Sequence, residues 1–249
     1  MNHSVVARPV IRQIRDSRDS LDFFENVALA EENEKTQEII RDFPTVYIHN
    51  WQKSGDFEVY VGESNDIFKR TRQHYDAASD KSRWQSKLIG KDASLFIIGH
   101  EHFNKSLTLD VENRLMHYMM SVERVKQVHN LRGNPQTSYY PMEELDEIFG
   151  KIWRGLHKEN KDLFPTESSI KDSAIYKASP LHKLTKEQEK ARELIIEKVV
   201  KALENGETRQ LIFIDGEAGT GKTVLNSSTF YELYCQAEEN HKELNCYLL

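Results

Sequence analysis

Tyr60-Val61-Gly62-Glu63-Ser64-Asn65-Asp66-Ile67-Phe68-Lys69-Arg70-Thr71-Arg72-Gln73-His74 is an apolar strand that meets a glycine and runs into a basic helix. Asn65 reads as the N-cap, so Arg70 and His74, four positions apart, share one helical face just past the strand end. A permanent cation and an imidazole are thereby set beside a tyrosine hydroxyl. Upstream, Pro44 stops a preceding helix and opens a strand from Thr45 to His49. Lys53-Ser54-Gly55-Asp56 is a turn, and Phe57 to Val61 alternates into a second strand, which predicts Tyr47 and Tyr60 on neighbouring strands of one hairpin. The tyrosines are 13 positions apart, a spacing that suggests a long turn.

Outward from this hairpin the elements follow from periodicity. A helix is expected from Asp66 to about Ala78, a short one around Trp84 to Ile89, and a third strand from Ser94 to Ile98. Thr108 can cap a helix running to about Met120, with Leu109, Val111, Leu115, Met116 and Met119 buried. Glu112 lies between these apolar rows; a carboxylate at a buried edge needs a partner, and a metal ion is one way to supply it. Residues 122 to 132 read as an edge segment ending at Asn130. Pro141 opens a helix from Met142 to Lys158, whose stripe is Leu145, Ile148, Phe149, Ile152, Trp153 and Leu156. On the N-terminal side, residues 1 to 18 read as an extended arm and Leu21 to about Arg41 as a helix lying on the next domain.

Residues 159 to 184 show no period and read as linker or as packed irregular chain. Thr185-Lys186-Glu187-Gln188 then makes a capping box, starting a helix that Gly206 ends. Gln210 to Asp215 reads as an apolar strand delivering Gly216-Glu217-Ala218-Gly219-Thr220-Gly221-Lys222-Thr223, a complete GxxxxGKT. In such a loop the backbone amides of Gly216, Gly219, Thr220 and Gly221 cradle phosphate, Lys222 reaches the β and γ oxygens, and Thr223 holds Mg. The 26 residues after Thr223 allow one helix, about Val224 to Glu239, and one strand, Leu244 to Leu249. They offer no Walker B acid and no arginine finger, so the expectation is the beginning of an ATPase domain cut short, with weak or absent ATP binding.

The whole chain is 249 residues, 38% apolar, with a formal charge of -6. That charge is uneven: -3 over 1 to 42, +2 over 43 to 140 and -5 over 141 to 249. The one positive section contains the two tyrosines and Arg70, as phosphate binding requires. Charges interrupt every apolar run before it reaches a membrane-spanning length, and nothing reads as a signal peptide. Cys235 and Cys246 form no framework or ligand pattern, so a cytoplasmic setting without membrane association is the default.

The order Thr45-Val46-Tyr47, Tyr60-Val61-Gly62, Arg70, His74, Glu112, Asn130 resembles the GIY-YIG nuclease core over about residues 43 to 140, with TVY in place of GIY. Residue chemistry is compatible with phosphodiester hydrolysis. Arg70 is a planar donor set for phosphate, and Glu112 can hold one Mg or Mn ion with water. Tyr47 or Tyr60 could orient or deprotonate the attacking water, and His74 could share a proton with a tyrosine. The resemblance implies a one-metal scheme through Tyr47, Tyr60, Arg70 and Glu112 that leaves a 5'-phosphate and a 3'-hydroxyl, with Asn130 as a structural tether. Leu184-Thr185-Lys186-Glu187-Gln188 resembles the adenine-reading glutamine element of superfamily 1 helicases, which makes Gln188 a nucleotide-binding candidate.

The expected fold is α/β: a small three-stranded, mainly antiparallel sheet flanked by helices, followed by an incomplete P-loop α/β segment. The expected divisions are 1–42 (arm and helix), 43–158 (nuclease-like), 159–184 (linker) and 185–249 (start of a helicase-like ATPase domain). The leading function is a metal-dependent endonuclease on DNA, with RNA as alternate substrate, in defence against foreign DNA or in repair, and controlled by nucleotide. A nucleic-acid-binding, helicase-like ATPase module with an inactive nuclease domain is the second class, and an interaction scaffold the third. Each admits an oligomer or an accessory protein.

Overall fold

The computed structural model describes residues 6–79, 84–88, 92–129, 144–173, 176, 184–217 and 219–239. The chain divides into two compact units, the first running to Ser173 apart from 131–133, the second carrying the remainder.

The first unit is built on a five-stranded mixed sheet in the order β1-β4-β2-β3-β5. The hairpin is its centre: β2 (Thr45–Lys53) and β3 (Asp56–Ser64) pair antiparallel along their whole length. Its turn is tight rather than long. Ser54 and Gly55 both take positive φ, 54° and 89°, the two-residue geometry whose twist suits a hairpin. Length in the strands themselves therefore accounts for the spacing of Tyr47 and Tyr60. Thr45 closes the ladder opposite Ser64, with its hydroxyl 3.5 Å from the Ser64 carbonyl, so the residue standing at the first motif glycine is absorbed without a break.

Five strands replace the expected three. β4 (Ala93–Gly99) lies antiparallel against β2, and β1 (Val10–Arg15), expected as a free arm, pairs antiparallel with β4. At the other edge β5 (Val125–His129) runs parallel to β3 over Phe57–Tyr60, with a register shift between Phe57 and Glu58. Both extra strands are short edge strands, whose pairing comes from partners far along the chain rather than from a strong local pattern.

Alternation along the strands assigns the two faces. Tyr47, Trp51, Tyr60, Leu95 and Ile97 point to one face, packed by Leu21 and Phe24 of α1 (Arg18–Asn26) and by Ile67 and Phe68 of α3 (Ile67–Ala77). The expected single helix before the hairpin is α1, a 3-10 turn at Ala28–Glu31, and α2 (Glu34–Arg41). On the opposite face Phe96 meets Phe164, which packs edge-on against Trp153 of α5 (Leu145–Glu159). α4 (Lys105–Met120) joins that layer, its Tyr118 packed edge-on against Phe149 and Trp153. Asn104, not Thr108, caps α4 by accepting from the Leu107 amide, 3.0 Å, while Thr108 sits one turn inside.

Of the two readings of 159 to 184, linker or packed irregular chain, the stretch is packed chain as far as Ser173. Leu163 and Phe164 are buried, the Trp153 indole donates to the Pro165 carbonyl at 2.8 Å, and α6 (Glu167–Asp172) buries Ile170. Pro141 and Met142 lie outside the described residues.

The second unit contains α7 (Lys186–Glu204) and α8 (Lys222–Glu239). Thr185 and Gln188 form both bonds of the capping box, and Gly206 takes φ 66° just after α7. Gln210 to Asp215 is not a strand: Leu211 and Phe213 are 74% and 85% exposed, and no ladder partner exists among the described residues. A parallel strand of a P-loop domain is stabilised by neighbours on both sides, and among the described residues the segment has none to pair with. The strand expected at Leu244 to Leu249 lies outside the described residues. Among the described residues no helix is long and apolar enough to cross a membrane.

Trp153 is 1% exposed and touches α4, Phe164 and the Pro165 carbonyl, so it pins the second face. Trp153→Ala is expected to cost about 3–5 kcal/mol of stability, read from urea unfolding followed by circular dichroism. A loss below about 1 kcal/mol would show that α5 is not part of the core.

Candidate active site

The site grows from a missing Cβ. Gly62 is the cross-strand partner of Tyr47, and a Cβ built on it would lie 2.5 Å from both the Tyr47 ring and its hydroxyl. The absence of a side chain there lets Tyr47 lay its ring across β3. Two residues on, Ser64 and Asp66 exchange hydrogen bonds of 2.8 and 3.0 Å that turn the chain into α3. Asp66, one position after the expected cap at Asn65, accepts from the Lys69 amide at 2.9 Å and starts the helix.

α3 then delivers its side chains to the phenols. The Tyr47 hydroxyl is 3.0 Å from His74 Nε2, and both residues are buried. Arg70, one turn earlier and half-buried, sets its guanidinium charge beside Tyr47 and Tyr60 and donates to Gln73 Oε1 at 3.4 Å. The Tyr47 and Tyr60 rings stack at 6.1 Å between centroids, and His74 stands edge-on to Tyr60 at 5.2 Å. Trp84 lies flat over Tyr60 at 4.1 Å. Arg72 points the other way, into Asp22 and Glu25 of α1, and so ties α3 down while Arg70 remains with the phenols.

Burial, with His49 and Arg70 adding to it, pushes the His74 imidazole down to about 2. His74 is therefore neutral at physiological pH. The Gln85 side-chain N–H donates to Nδ1 at 3.4 Å, which leaves the ring proton on Nε2 to be given to the Tyr47 oxygen. Burial and the neighbouring Tyr60 raise the Tyr47 phenol well above its ordinary value, against the opposing pull of Arg70. Tyr47 is thus a phenol at neutral pH, a hydrogen-bond donor rather than a ready base.

Tyr47, Tyr60, Arg70 and His74 come together on one face. Glu112 is buried on α4, whose layer covers the other face and packs against β2, β3 and β5. β5 accompanies β3 only as far as Tyr60. Asn130 lies outside the described residues. Among the described residues no three His, Cys, Asp or Glu side chains gather as a metal cage.

Two side chains that the motif comparison does not include complete the cluster. His49, fully buried, donates its Nδ1–H to Asp16 at 2.6 Å, and the Tyr75 hydroxyl donates to the other Asp16 oxygen at 2.7 Å. His49 rests edge-on against Tyr47 and His74 at 5.4 Å each. Strand alternation alone places His49 on the face of Tyr47. Asp16 had no such signal, since it stands in the stretch that reads as an arm.

The phosphate loop of the second unit is a separate candidate. Lys222 Nζ donates to the carbonyls of Gly216 and Glu217, 2.6 and 2.9 Å, folding the loop around its own ammonium group. Gly219 and Gly221 take φ of 82° and 78°, and Thr220 Oγ1 donates to the Glu217 carbonyl at 2.9 Å. Thr223 is exposed in the first turn of α8. Gln188 donates to the Thr220 carbonyl at 2.9 Å while its oxygen accepts from the Thr185 amide, so it braces the loop from α7.

The His74 environment has a measurable consequence. The unfolded chain protonates this imidazole near its ordinary 6.5, whereas the folded protein holds it unprotonated down to about 2. The folded state binds fewer protons in that window, so stability from this group is intact above about pH 6.5 and falls as pH drops, by at most about 1.4 kcal/mol per pH unit. The His74 ring signals in NMR are expected to stay flat between about pH 5 and 8, and a titration midpoint near 6.5 would contradict the neutral imidazole. Comparison of the chain with protein-family models, with curated proteins and with solved structures gave no match.

Proposed function

We propose that the first unit is a metal-dependent endonuclease of GIY-YIG type acting on DNA. The observation that supports it is the convergence of two tyrosines, an arginine and a neutral histidine on one sheet face, made possible by Gly62. Arg70 receives the scissile phosphate, because a guanidinium with donors to spare in a half-buried setting meets phosphate charge strongly. Tyr47, held protonated by burial and oriented by its own bond to His74, is kept in place beside Arg70 for the phosphate oxygens. Tyr60 sits beside it, buried beneath the Trp84 ring, which fixes its place next to Arg70.

Glu112 is the proposed Mg or Mn ligand. One carboxylate completed by waters suits Mg, which dehydrates reluctantly and seldom uses an all-protein cage. To serve the phenol face this carboxylate has to reach past the β3 edge beyond Tyr60. When bound, the ion would stabilise the charge of the departing oxygen. The phosphate loop is proposed to give the second unit a nucleotide site for ATP with Mg.

A binding module with an inactive nuclease domain has one observation in its favour, the raised Tyr47 phenol, which is a poor base as it stands. Cleavage assays on single-stranded, duplex and branched DNA and on RNA, with Mg, Mn or EDTA, separate the two. Arg70→Ala is expected to slow cleavage by about a hundredfold or more, the scale of removing a charge-stabilising donor, and EDTA or Glu112→Ala to abolish it. Full activity in EDTA removes the metal role. Binding without any cut leaves the module.

Lys222 already satisfies its ammonium group on loop carbonyls, so phosphate must displace those bonds to enter. Calorimetry is expected to show no micromolar affinity for ATP with Mg, and Lys222→Ala to leave cleavage unchanged. Tight binding with ATP-dependent cutting would show that nucleotide controls the nuclease.

A further inference from the structure

Several buried side-chain atoms among the described residues make no hydrogen bond, Trp51 Nε1, Thr71 Oγ1 and Gln85 Oε1 among them, and one of these atoms is an imidazole nitrogen. His49 Nε2 is fully buried and has no hydrogen-bond partner, although the ring's other nitrogen is held at 2.6 Å by Asp16, whose side chain is also fully buried. Buried ring nitrogens are nearly always satisfied, because an unmade hydrogen bond costs the full desolvation of the group. Here the orphan lies on the side of the imidazole away from Asp16, among the rings of Tyr60, His74 and Trp84, at 6.1, 5.4 and 5.3 Å from the His49 ring centre. It is an acceptor, since Nδ1 carries the proton given to Asp16.

The other imidazole in the cluster is occupied on both nitrogens. His74 Nδ1 accepts from the Gln85 amide and Nε2 donates to the Tyr47 oxygen, and Tyr47 remains a phenol. Asp16 is itself anchored from three directions: His49, the Tyr75 hydroxyl of α3, and a backbone bond of 2.9 Å from its amide to the Ala93 carbonyl. A carboxylate so fixed holds the imidazole in one tautomer and faces the positive charge that forms when the imidazole takes a proton, as in hydrolases that pair His with Asp.

We propose that His49, oriented by Asp16, is the general base of the phosphodiester hydrolysis, resting on the nuclease function above. The group that Nε2 must admit is a single water molecule. As the water oxygen bonds to phosphorus, its proton passes to Nε2. The bond from phosphorus to the leaving oxygen breaks, and that oxygen takes a proton from solvent water. Imidazolium at His49 then stands against the Asp16 carboxylate until it releases its proton. In this scheme Tyr47, Tyr60 and Arg70 hold the phosphate, and Asp16, the residue directly after β1, orients the base.

The test uses the full chain, Mg and whichever nucleic acid the wild type cuts. His49→Ala and Asp16→Asn are each expected to lower kcat by at least about a hundredfold while KM stays within about threefold. Added imidazole is expected to restore part of the His49→Ala rate, which a merely structural role would not produce. Wild-type rates in both variants would overturn the assignment and leave the nuclease intact. A wild type that cuts no nucleic acid would overturn the nuclease and the base together. If neither variant folds, nitrogen NMR of labelled wild type decides: a proton on Nδ1 and a bare Nε2 at His49 are expected, and a proton on Nε2 overturns the proposal.

Discussion

The contact between the Tyr47 ring and the bare backbone of Gly62 is the constraint from which the site follows. Antiparallel register sets the two residues opposite each other, and the ring occupies the space that any side chain at 62 would fill. This brings the hydroxyl across the sheet to the start of α3 instead of leaving it above its own strand. The hydroxyl can then reach His74, and the helix that carries His74 places Arg70 one turn nearer its start. Cap and turn finish the job locally. Ser64 and Asp66 fix the angle at which β3 becomes α3, so the distance between the phenols and the cation is set by short-range bonds rather than by the whole fold.

Stability argues against such a face, and this tension is informative. Asp16, His49 and His74 are buried among aromatic rings where leucines would pack more cheaply, and the desolvation of charged groups costs several kcal/mol each unless they are paired. The protein meets the cost in two ways. His74 gives up its charge, and Asp16 is supplied with donors from His49 and Tyr75. By contrast Glu58, also buried on β3, sits at about 2 because Lys87, His129 and Lys53 outweigh its burial. Glu58 is fully compensated and carries the mark of a structural cluster. His49 Nε2 is not compensated, and such local inconsistencies concentrate at functional sites.

What could be read in the sequence was what short-range chemistry decides. The hairpin announced itself through Ser54-Gly55 and the alternation on either side, and α5 through a stripe of large apolar residues at helical spacing. The edge strands were hidden. β1 carries Arg12 and Arg15 among its apolar residues, and its partner β4 lies some eighty positions away, so nothing nearby distinguishes it from an arm. Caps slipped by one or a few positions because Asn65 and Asp66, or Asn104 and Thr108, have similar capping chemistry and only backbone geometry chooses. In the site, Arg70 and His74 were legible through their spacing of four. The Asp16–His49 pair was not, since it joins residues 33 positions apart, one just past β1 and the other on β2.

The phosphate loop shows the same division from the other side. Its closure needs only near neighbours: Lys222 on the carbonyls of Gly216 and Glu217, Thr220 on Glu217, and glycines where φ is positive. Gln188 adds one brace from α7. The preceding Leu211-Ile212-Phe213 is as apolar as a central strand requires, yet it remains exposed, because a strand draws its stability from ladders with other strands and not from its own composition. A loop shape that forms from local bonds therefore indicates what could bind, whereas turnover depends on groups that long-range packing must bring up. The tyrosine face is the reverse case. Its motif letters are sparse, but β1, β2, β3 and α3 must all be in place before Asp16, His49, Tyr47 and His74 can meet, so their meeting is much harder to obtain by accident than the loop.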